Sequence, residues 1–285
     1  MLNREKLNSV ILELPESERV LINTYVQEAY FYYELLGEDL TKLAKNSKIV
    51  EIGSGIGLLS LFIAELGHRV TTFEPESNGF SQMLAIRKII LSCWEGKIPE
   101  VESINDYFGQ NYIQDDGPID YMLAINVLEH MVSMSQIEIF LREIKPLIGL
   151  KSIFRVICPN YLMPYEPHFD IPTVINKRAT YLLFKKKILE KGISDGLEMW
   201  DELSWPTQRK LQKSIRKANL SSEFSRNASA NYLKRAFFDD SLKERKGKVT
   251  FFLIKAASTL LTPIISVFPK KLLPVLDCSI KLNRS

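Results

Sequence analysis

The stretch Lys48-Ile-Val-Glu-Ile-Gly-Ser-Gly-Ile-Gly57 decides the fold class of this 285-residue chain. Its first five residues are rich in β-branched side chains, which predicts a strand buried in a parallel sheet over 48–52. The three glycines that follow predict a tight turn whose backbone N–H groups can approach a ligand closely. The apolar run at 58–66 predicts a helix whose positive N-terminal end points at the same place. The stretch therefore predicts a loop that binds a nucleoside-bearing cofactor.

The next segment, Arg69–Pro75, supports the same interpretation. Residues 69–74 are predicted to form the second strand, and Glu74 lies at its end. An acid at the end of the second strand of a βαβ unit is placed to accept hydrogen bonds from both ribose hydroxyls. The glycines follow a G-x-G-x-G spacing with Glu51 two residues ahead of them, whereas the nicotinamide fingerprint is G-x-G-x-x-G. The spacing therefore disfavours a nicotinamide oxidoreductase, which stays an alternative at the level of the fold.

Four ordered motifs resemble those of the class I S-adenosylmethionine-dependent methyltransferases. The pattern Glu51-x-Gly-x-Gly-x-Gly57 is similar to their motif I, and Asn126-Val-Leu-Glu-His130 is similar to the motif that follows their fourth strand. Residues 141–149 and 152–160 resemble the helix and the fifth strand that come next. The resemblance covers residues 45–170 and implies S-adenosylmethionine as the cofactor.

The same resemblance implies a role for each residue around these motifs. The glycine turn and Glu51 would surround the methionine part of the cofactor, and Glu74 would hold the ribose. Asn105 or Asp106 would meet the adenine, although this pair is also a common turn sequence. Asn126 would line the pocket near the methyl group. The complete predicted cofactor set is Glu51, Gly53, Ser54, Gly55, Gly57, Glu74, Pro75, Asn105, Asp106 and Asn126.

Alternating strand and helix patterns between residues 48 and 160 predict an α/β fold. Strands are predicted at 48–52, 69–74, 100–104, 119–125 and 151–158, with helices at 58–66, 78–92 and 135–148. Repeated βα units form a parallel sheet with helices on both faces, and ligands bind beyond the carboxyl ends of its strands. We therefore expect a Rossmann-like, doubly wound, mostly parallel sheet that gathers the predicted cofactor residues in one crevice.

The segment before this core predicts two helices, at 3–14 and 16–36, with Gly37 closing the second. Tyr25 is a candidate for closing the cofactor site or binding substrate. The alternative is that Tyr25 and its aromatic neighbours form the apolar face of a helix packed beside the sheet, which base rates favour.

The segments after the core predict a cap over the site. A proline- and aromatic-rich stretch precedes basic helices at 177–191 and 207–219, with Trp200 and Trp205 in the link between them. A closing strand is predicted at 276–282. The predicted divisions are an N-terminal helical segment at 1–44, the cofactor-binding core at 45–160, a substrate cap at 161–248 and a C-terminal segment at 249–285.

Two histidines are candidates for the general base that an oxygen nucleophile needs. His130 ends the fourth-strand motif, although starting a helix beside the cofactor explains it equally well. His168 lies in the predicted cap entrance beside Tyr161 and Tyr165, which are candidates for stacking on a sugar or ring of the substrate. The resembling ubiquinone-pathway O-methyltransferases carry a further acid four residues before the histidine, linked to a divalent metal. Asn126 stands at that position, so no metal is predicted.

Charge is distributed unevenly along the chain, whose net charge is +3. The first 176 residues hold 14 basic and 24 acidic side chains, and the remaining residues hold 23 basic and 10 acidic ones. This asymmetry predicts an anionic partner (a phosphorylated substrate, acidic lipid or nucleic acid) for the second part, or simply a solvated helical surface. The stretch 249–268 is apolar with a polar stripe and Pro263. It predicts an interfacial helix or one packed on the domain, and not a transmembrane span.

Three cysteines, Cys93, Cys158 and Cys278, form no C-x-x-C pair, which indicates a reducing compartment. The N-terminus predicts no signal peptide, so we expect a cytoplasmic protein that can also lie peripherally on a membrane. The predicted activity is transfer of a methyl group to an oxygen of a small-molecule or lipid- or glycan-linked acceptor. An RNA methyltransferase and a non-catalytic scaffold that binds the cofactor and a partner are the alternatives.

Overall fold

The computed structural model describes residues 1–75, 81–109, 117–190, 196–235, 237 and 248–283. These residues fall into two compact units. Unit 1 comprises Met1–Phe108 and Phe238–Phe251, and unit 2 comprises Gly109–Phe237 and Phe252–Ser285. The predicted divisions at residues 44, 160 and 248 stay predictions.

Unit 1 carries the strands and helices of the first βα repeats. Three parallel strands lie in the order β3-β2-β1, with Val50 opposite Thr71 and Thr71 opposite Glu102. All five residues of β1 are buried, as its β-branched sequence predicts. The elements are α1 (Arg4–Leu12), α2 (Glu16–Thr41), β1 (Lys48–Ile52), α3 (Leu58–Glu65), β2 (Arg69–Phe73), α4 (Ser81–Ser92) and β3 (Val101–Ile104).

Unit 2 holds the other four strands, in the order β4-β5-β7-β6. Strands β4 and β5 are parallel, while β7 runs antiparallel to both β5 and β6. The elements are β4 (Ile119–Ile125), α5 (Met134–Ile144), β5 (Ile148–Pro159), α6 (Lys177–Glu190), α7 (Gly196–Glu202), α8 (Gln208–Lys217), β6 (Leu220–Phe224), α9 (Asn227–Arg235), α10 (Lys248–Leu261) and β7 (Val275–Leu282). Helix α10 begins in unit 1 and continues into unit 2. The predicted Rossmann-like, mostly parallel sheet is confirmed.

Some predicted boundaries were wrong. Helix α2 continues through Gly37 to Thr41 because Leu36 and Leu40, one turn apart, are both buried. A Cβ added at Gly37 would meet no atom within 4 Å, so this position inside the helix has room for a larger residue. Trp200 lies within α7 and not in a link. The helix predicted at 249–268 ends at Leu261, where Pro263 forms a short 3₁₀ turn, Thr262–Ile264.

The aromatic residues of α2 pack as the base rates favour. Tyr30 and Tyr33 lie 4.7 and 5.5 Å from the ring of Phe62 on α3. In unit 2, a separate apolar core includes Trp200 and Trp205, whose rings lie 5.7 Å apart. Part of the predicted helix at 78–92 lies outside the described residues. Among the helices that the structure describes, none has the length and apolarity needed to cross a membrane.

Candidate functional site

The glycine turn after β1 is held to the end of β2 by backbone hydrogen bonds. The N–H of Gly53 donates to the carbonyl oxygen of Phe73 at 2.8 Å, and the N–H of Gly57 donates to the carbonyl oxygen of Ser54 at 2.8 Å. Gly53, Gly55 and Gly57 have φ angles of 71°, 54° and 71°. This left-handed region is costly for residues with a Cβ, so the turn requires its glycines. The sequence therefore builds a rigid cradle in front of α3.

Glu74 joins this cradle through its side chain. Its Oε2 atom accepts a hydrogen bond of 2.7 Å from the N–H of Gly55. Burial raises the pKa of Glu74, and the bond from Gly55 opposes that rise. The Oγ of Ser54 is buried and has no hydrogen-bond partner among the described residues. A carboxylate at the end of β2 and an unsatisfied hydroxyl in the turn fit a ligand that carries sugar hydroxyls and a polar chain.

Glu51 lies behind the turn. Its side chain is buried and accepts a hydrogen bond from the hydroxyl of Ser60 on α3. The pKa of Glu51 is raised to about 8, mainly by burial; the bond from Ser60 opposes this rise and the negative charge of Glu74 adds to it. The carboxyl group is therefore mainly neutral at pH 7. Contact between Glu51 and a cofactor stays a prediction.

Arg87 is a residue of this region that the sequence did not single out. A Cβ added at Gly57 would lie 3.4 Å from its Nη1 atom. Its Nη2 atom donates to the Oγ of Ser103 on β3 at 2.9 Å. A cation from α4 therefore lies against the glycine turn, and no local motif marks it because the contact joins residues 30 positions apart along the chain (57 and 87).

The remaining predicted cofactor residues of unit 1 lie at strand ends. Asn105 and Asp106 follow β3 and are exposed, and the Oδ1 of Asp106 accepts a bond of 2.7 Å from the N–H of Tyr107. Pro75 follows Glu74 and is half-buried. Tyr25 is half-buried on α2. Their contacts with cofactor or substrate stay predictions.

Unit 2 carries a second group of polar residues, which begins after β4. Asn126 is exposed, has a φ of 54°, and donates its N–H to the carbonyl oxygen of Ile157 at 2.8 Å. Asparagine is one of the few residues with a Cβ that tolerates this backbone region. The following 3₁₀ turn, Leu128–His130, is tied to Ser204, whose N–H donates to the carbonyl oxygen of Glu129 at 2.7 Å. This bond anchors the turn that carries Glu129 and His130 to the segment between α7 and α8.

His168 is oriented by a buried carboxylate. Its Nδ1 atom lies 2.6 Å from Oε1 of Glu166, which also accepts a bond of 3.1 Å from the hydroxyl of Tyr161. Oε2 of Glu166 accepts a bond of 2.6 Å from the N–H of Phe169. Burial alone would raise the pKa of Glu166, but the bond and the charge of His168 and the backbone bonds outweigh it, so this pKa is lowered. Glu166 is therefore an anion that accepts a hydrogen bond from Nδ1 of His168, and in the neutral form of the ring this leaves the lone pair on Nε2.

His130 and Glu129 complete what we call the histidine cluster (Glu129, His130, Glu166 and His168). The rings of His130 and His168 meet edge to face with their centres 4.8 Å apart. Burial lowers the pKa of His130 to about 4, as does the charge of His168, while Glu166 acts in the opposite direction. Burial raises the pKa of Glu129 to about 7, and neither of its carboxyl oxygens has a hydrogen-bond partner among the described residues.

The histidine cluster has the residue types of a metal site. Glu129, His130 and His168 each offer one ligand atom, and these atoms lie within 4.8 Å of one another. Two ligands of a tetrahedral zinc ion lie about 3.4 Å apart, as metal–ligand distances of this kind require. Separations of up to 4.8 Å include that value, so the three atoms are compatible with a shared metal ion as well as with proton transfer.

Tyr161 and Tyr165 each hydrogen-bond an acidic residue of unit 2, and their contact with a substrate stays a prediction. Tyr161 is buried and stacks on Trp205 with ring centres 5.1 Å apart, so its hydroxyl serves Glu166. The hydroxyl of Tyr165 donates to the carboxylate of Asp170. Burial raises the pKa of both phenols. The sequence analysis did not identify Glu166 as a site residue. Its position two residues before His168 was the one local feature that could have indicated the contact.

Comparisons with known proteins agree with this fold. No protein-family model matches the sequence. An uncharacterized protein of Mycobacterium tuberculosis is 28% identical over 253 residues, which cover 88% of this chain and 84% of that protein. A cyclopropane-fatty-acyl-phospholipid synthase-like protein from Lactobacillus casei superposes with a TM-score of 0.51 at 13% identity, covering 98% of this chain and 100% of that one. The mycolic acid cyclopropane synthase CmaA1, complexed with S-adenosylhomocysteine, gives a TM-score of 0.50 at 14% identity, covering 84% of this chain and 79% of that one.

The chain has the fold of the class I methyltransferases. The resemblance predicted from four short motifs is thus confirmed at the level of the fold. The glycine turn and Glu74 lie in unit 1 of this fold, while Asn126 and the histidine cluster lie in unit 2.

Proposed function

We propose that the protein is an S-adenosylmethionine-dependent methyltransferase that methylates an oxygen atom of a small-molecule or lipid- or glycan-linked acceptor. The observation that carries this proposal is the hydrogen-bonded pair of His168 and Glu166, which orients an imidazole to act as a general base in a chain of this fold. The turn at Gly53–Gly57, the unsatisfied hydroxyl of Ser54 and the carboxylate of Glu74 support the choice of cofactor.

The residues of the turn and Glu74 would hold the cofactor. When bound, S-adenosylmethionine supplies an electrophilic methyl group on a positively charged sulfur. Glu74 would accept hydrogen bonds from the ribose hydroxyls, while its bond to Gly55 keeps the turn in place. Ser54 would gain the partner that it lacks. Methyl transfer is accelerated mainly by positioning, so the rigidity of the turn serves the chemistry directly.

His168 would act on the acceptor. Its Nε2 lone pair takes the proton of the acceptor hydroxyl as the oxygen forms its bond to the methyl carbon and the carbon–sulfur bond breaks. The positive imidazolium that results is stabilised by the carboxylate of Glu166, which stays an anion throughout. His130 is a weaker base because its pKa is lowered to about 4, so we assign it a place beside the acceptor and assign the proton transfer to His168.

Calorimetric titration tests the cofactor assignment. We expect S-adenosylmethionine and S-adenosylhomocysteine to bind and NAD not to bind. Glu74→Ala should weaken binding by about tenfold or more, the value of a charge-assisted hydrogen bond. Glu74→Gln separates two effects, because its amide oxygen can still accept from Gly55 while the charge is lost. The exposed Glu100→Ala is the matched control. Binding of NAD instead, or no effect of Glu74→Ala, would overturn the assignment.

Transfer of a labelled methyl group tests the reaction. Lipid extracts, small-molecule pools and RNA serve as separate acceptor pools, with wild type and His168→Ala compared in each. We expect label in an alkali-stable ether or an ester of the first two pools, with kcat reduced in His168→Ala and cofactor affinity unchanged. Label in RNA would favour the RNA methyltransferase. Tight cofactor binding without transfer to any pool would favour the scaffold.

A further inference from the structure

The part of α10 that belongs to unit 2 and the residues after it expose large apolar side chains. Phe252, Leu253 and Leu260 on α10 are 69%, 60% and 73% exposed, and Val267 beyond the 3₁₀ turn is 78% exposed. Single exposed apolar residues are ordinary on protein surfaces, but several within one short segment mark an interaction site. All of them belong to unit 2.

Helix α10 exposes apolar side chains and buries a polar one, which is the reverse of a helix that covers a core. At 100° per residue, Leu253 and Leu260 lie within about 20° of one another, and Ser258 lies on the far side of the helix. Ser258 is nevertheless fully buried, while Leu253 and Leu260 face solvent. The predicted alternatives for this segment were an interfacial helix and a helix packed by its apolar face. Because Leu253 and Leu260 are exposed, the helix is not packed on the domain by its apolar face.

The charges along this segment have one sign. Residues 249–276 contain Lys255, Lys270 and Lys271 and no aspartate or glutamate. Lys255 and Lys271 are exposed, and Lys270 donates to the carbonyl oxygen of Phe224. At 100° per residue, Lys255 lies about 60° from Phe252 and about 160° from Leu253, so it borders the exposed apolar residues on the Phe252 side only. A lysine at such a border can keep its ammonium group at a headgroup while its apolar neighbours enter the acyl layer.

We propose that Phe252–Leu272 is an interfacial segment that binds the surface of a bilayer containing anionic phospholipid. Anionic headgroups complement a segment with lysines and no acids, and the acyl region accepts its apolar face. A second copy of the chain is a poorer occupant, because a two-fold contact through this face would bring lysines against lysines. If the segment binds a bilayer, the acceptor of the methyl group is a lipid presented by the membrane. This second step rests on the proposed methyl transfer.

Sedimentation with vesicles tests the segment without cofactor or turnover. The full chain is mixed with vesicles of phosphatidylcholine alone or with phosphatidylglycerol added. We expect binding to the anionic vesicles to be at least about tenfold stronger, because each lysine near an anionic surface contributes measurably. Phe252→Ser with Leu253→Ser and Leu260→Ser should abolish binding, and Lys255→Ser with Lys271→Ser should weaken it about tenfold and reduce its dependence on salt.

Matched controls keep the outcome clear. Ile139→Ser with Leu150→Ser removes two exposed apolar side chains elsewhere in unit 2, and we expect it to bind vesicles as wild type does. Circular dichroism and cofactor binding establish that each variant is folded. Wild type that ignores anionic vesicles, equal loss in the control variant, or a concentration-dependent dimer that the apolar variant abolishes would each overturn the proposal. Failure of the methyltransferase proposal would leave vesicle binding intact, so the two failures are distinguishable.

Discussion

Nδ1 of His168 and Oε1 of Glu166 are 2.6 Å apart, and Glu166 has no exposed surface. The pair is buried on the carboxylate side and half-buried on the imidazole side. Such a carboxylate fixes the tautomer of the histidine and stabilises its protonated form, without itself taking the proton. In the proposed reaction His168 therefore takes the proton, while Glu166 orients the ring and stabilises its protonated form.

Replacing Glu166 tests its role in orienting and stabilising His168. We expect Glu166→Gln to lower kcat by about 100-fold with a small change in KM, because the amide can hold the ring but cannot stabilise its charge. The acidic limb of the pH profile should move to lower pH, since the imidazolium loses its anionic partner. Steady-state kinetics between pH 5 and 9 measures both. Tyr161→Phe removes one bond to Glu166 and keeps its charge, so it should cost far less. Equal losses in the two variants would point to a structural role.

Local signals explain what the sequence predicted well. Short segments encode β1 with the glycine turn after it and β2 with Glu74 after it. The hydrogen bond between Gly55 and Glu74 was not itself predicted, but it agrees with the expectation that these residues lie close together. The prediction that Gly37 ends α2 was wrong. A glycine is common just after the end of a helix, but here burial of Leu36 and Leu40 favours continuation of the helix past it. Tertiary packing overrode the local preference.

Elements of the cap were missed where the periodic pattern stops. Strand β6 is Leu-Ser-Ser-Glu-Phe, with apolar side chains only at its two ends, and its partner β7 pairs Leu220 with Leu282 far along the chain. No local pattern marks such a strand. The predicted closing strand at 276–282 was confirmed as β7, which begins one residue earlier. The role of Glu166 depends on Tyr161, His168 and a backbone N–H meeting in space, which spacing alone does not show.

Glu51 predicts a pH-dependent stability. Its pKa is raised from 4.5 to about 8, so the folded state keeps a proton that the unfolded state releases. The free energy of unfolding should therefore fall as pH rises from 4.5 to 8, by roughly 4 kcal/mol from this group alone. Denaturant titration of Glu51→Gln should show a shallower fall than wild type, with a gain in relative stability at pH 8. Glu129 contributes a similar slope up to about pH 7 in both proteins, so the difference isolates Glu51.

An exposed carboxyl group provides the control for that measurement. Glu100→Gln makes the same change at an exposed side chain, whose contact with Lys97 is also exposed, so we expect little change in the free energy of unfolding. Identical slopes for wild type and Glu51→Gln would show that Glu51 ionises in the folded state.

Two glycines should respond to alanine in opposite directions. Gly57 has a φ of 71°, and a Cβ there would lie 3.4 Å from Arg87, so Gly57→Ala should cost about 1–2 kcal/mol of unfolding free energy and weaken cofactor binding. Gly37 lies in α2 with open space around its Cβ direction, so Gly37→Ala should add about 0.5–1 kcal/mol. Urea unfolding measures both. Gly55→Ala, at a φ of 54° with open space, separates backbone strain from the contact with Arg87. Stabilisation by Gly57→Ala would contradict the proposed cradle.

Chelation tests the histidine cluster as a proton-transfer site against a metal site. The donor atoms of Glu129, His130 and His168 lie within 4.8 Å of one another, a range that includes the separation of about 3.4 Å between two ligands of tetrahedral zinc. We expect methyl transfer to be unchanged after dialysis against EDTA, and added zinc to inhibit because it would occupy the lone pair that accepts the proton. Rates before dialysis, after dialysis and after zinc addition give the comparison, with metal content measured at each stage. Activity that disappears with the chelator and returns with stoichiometric metal would make these residues ligands, and the base would then have to be found elsewhere.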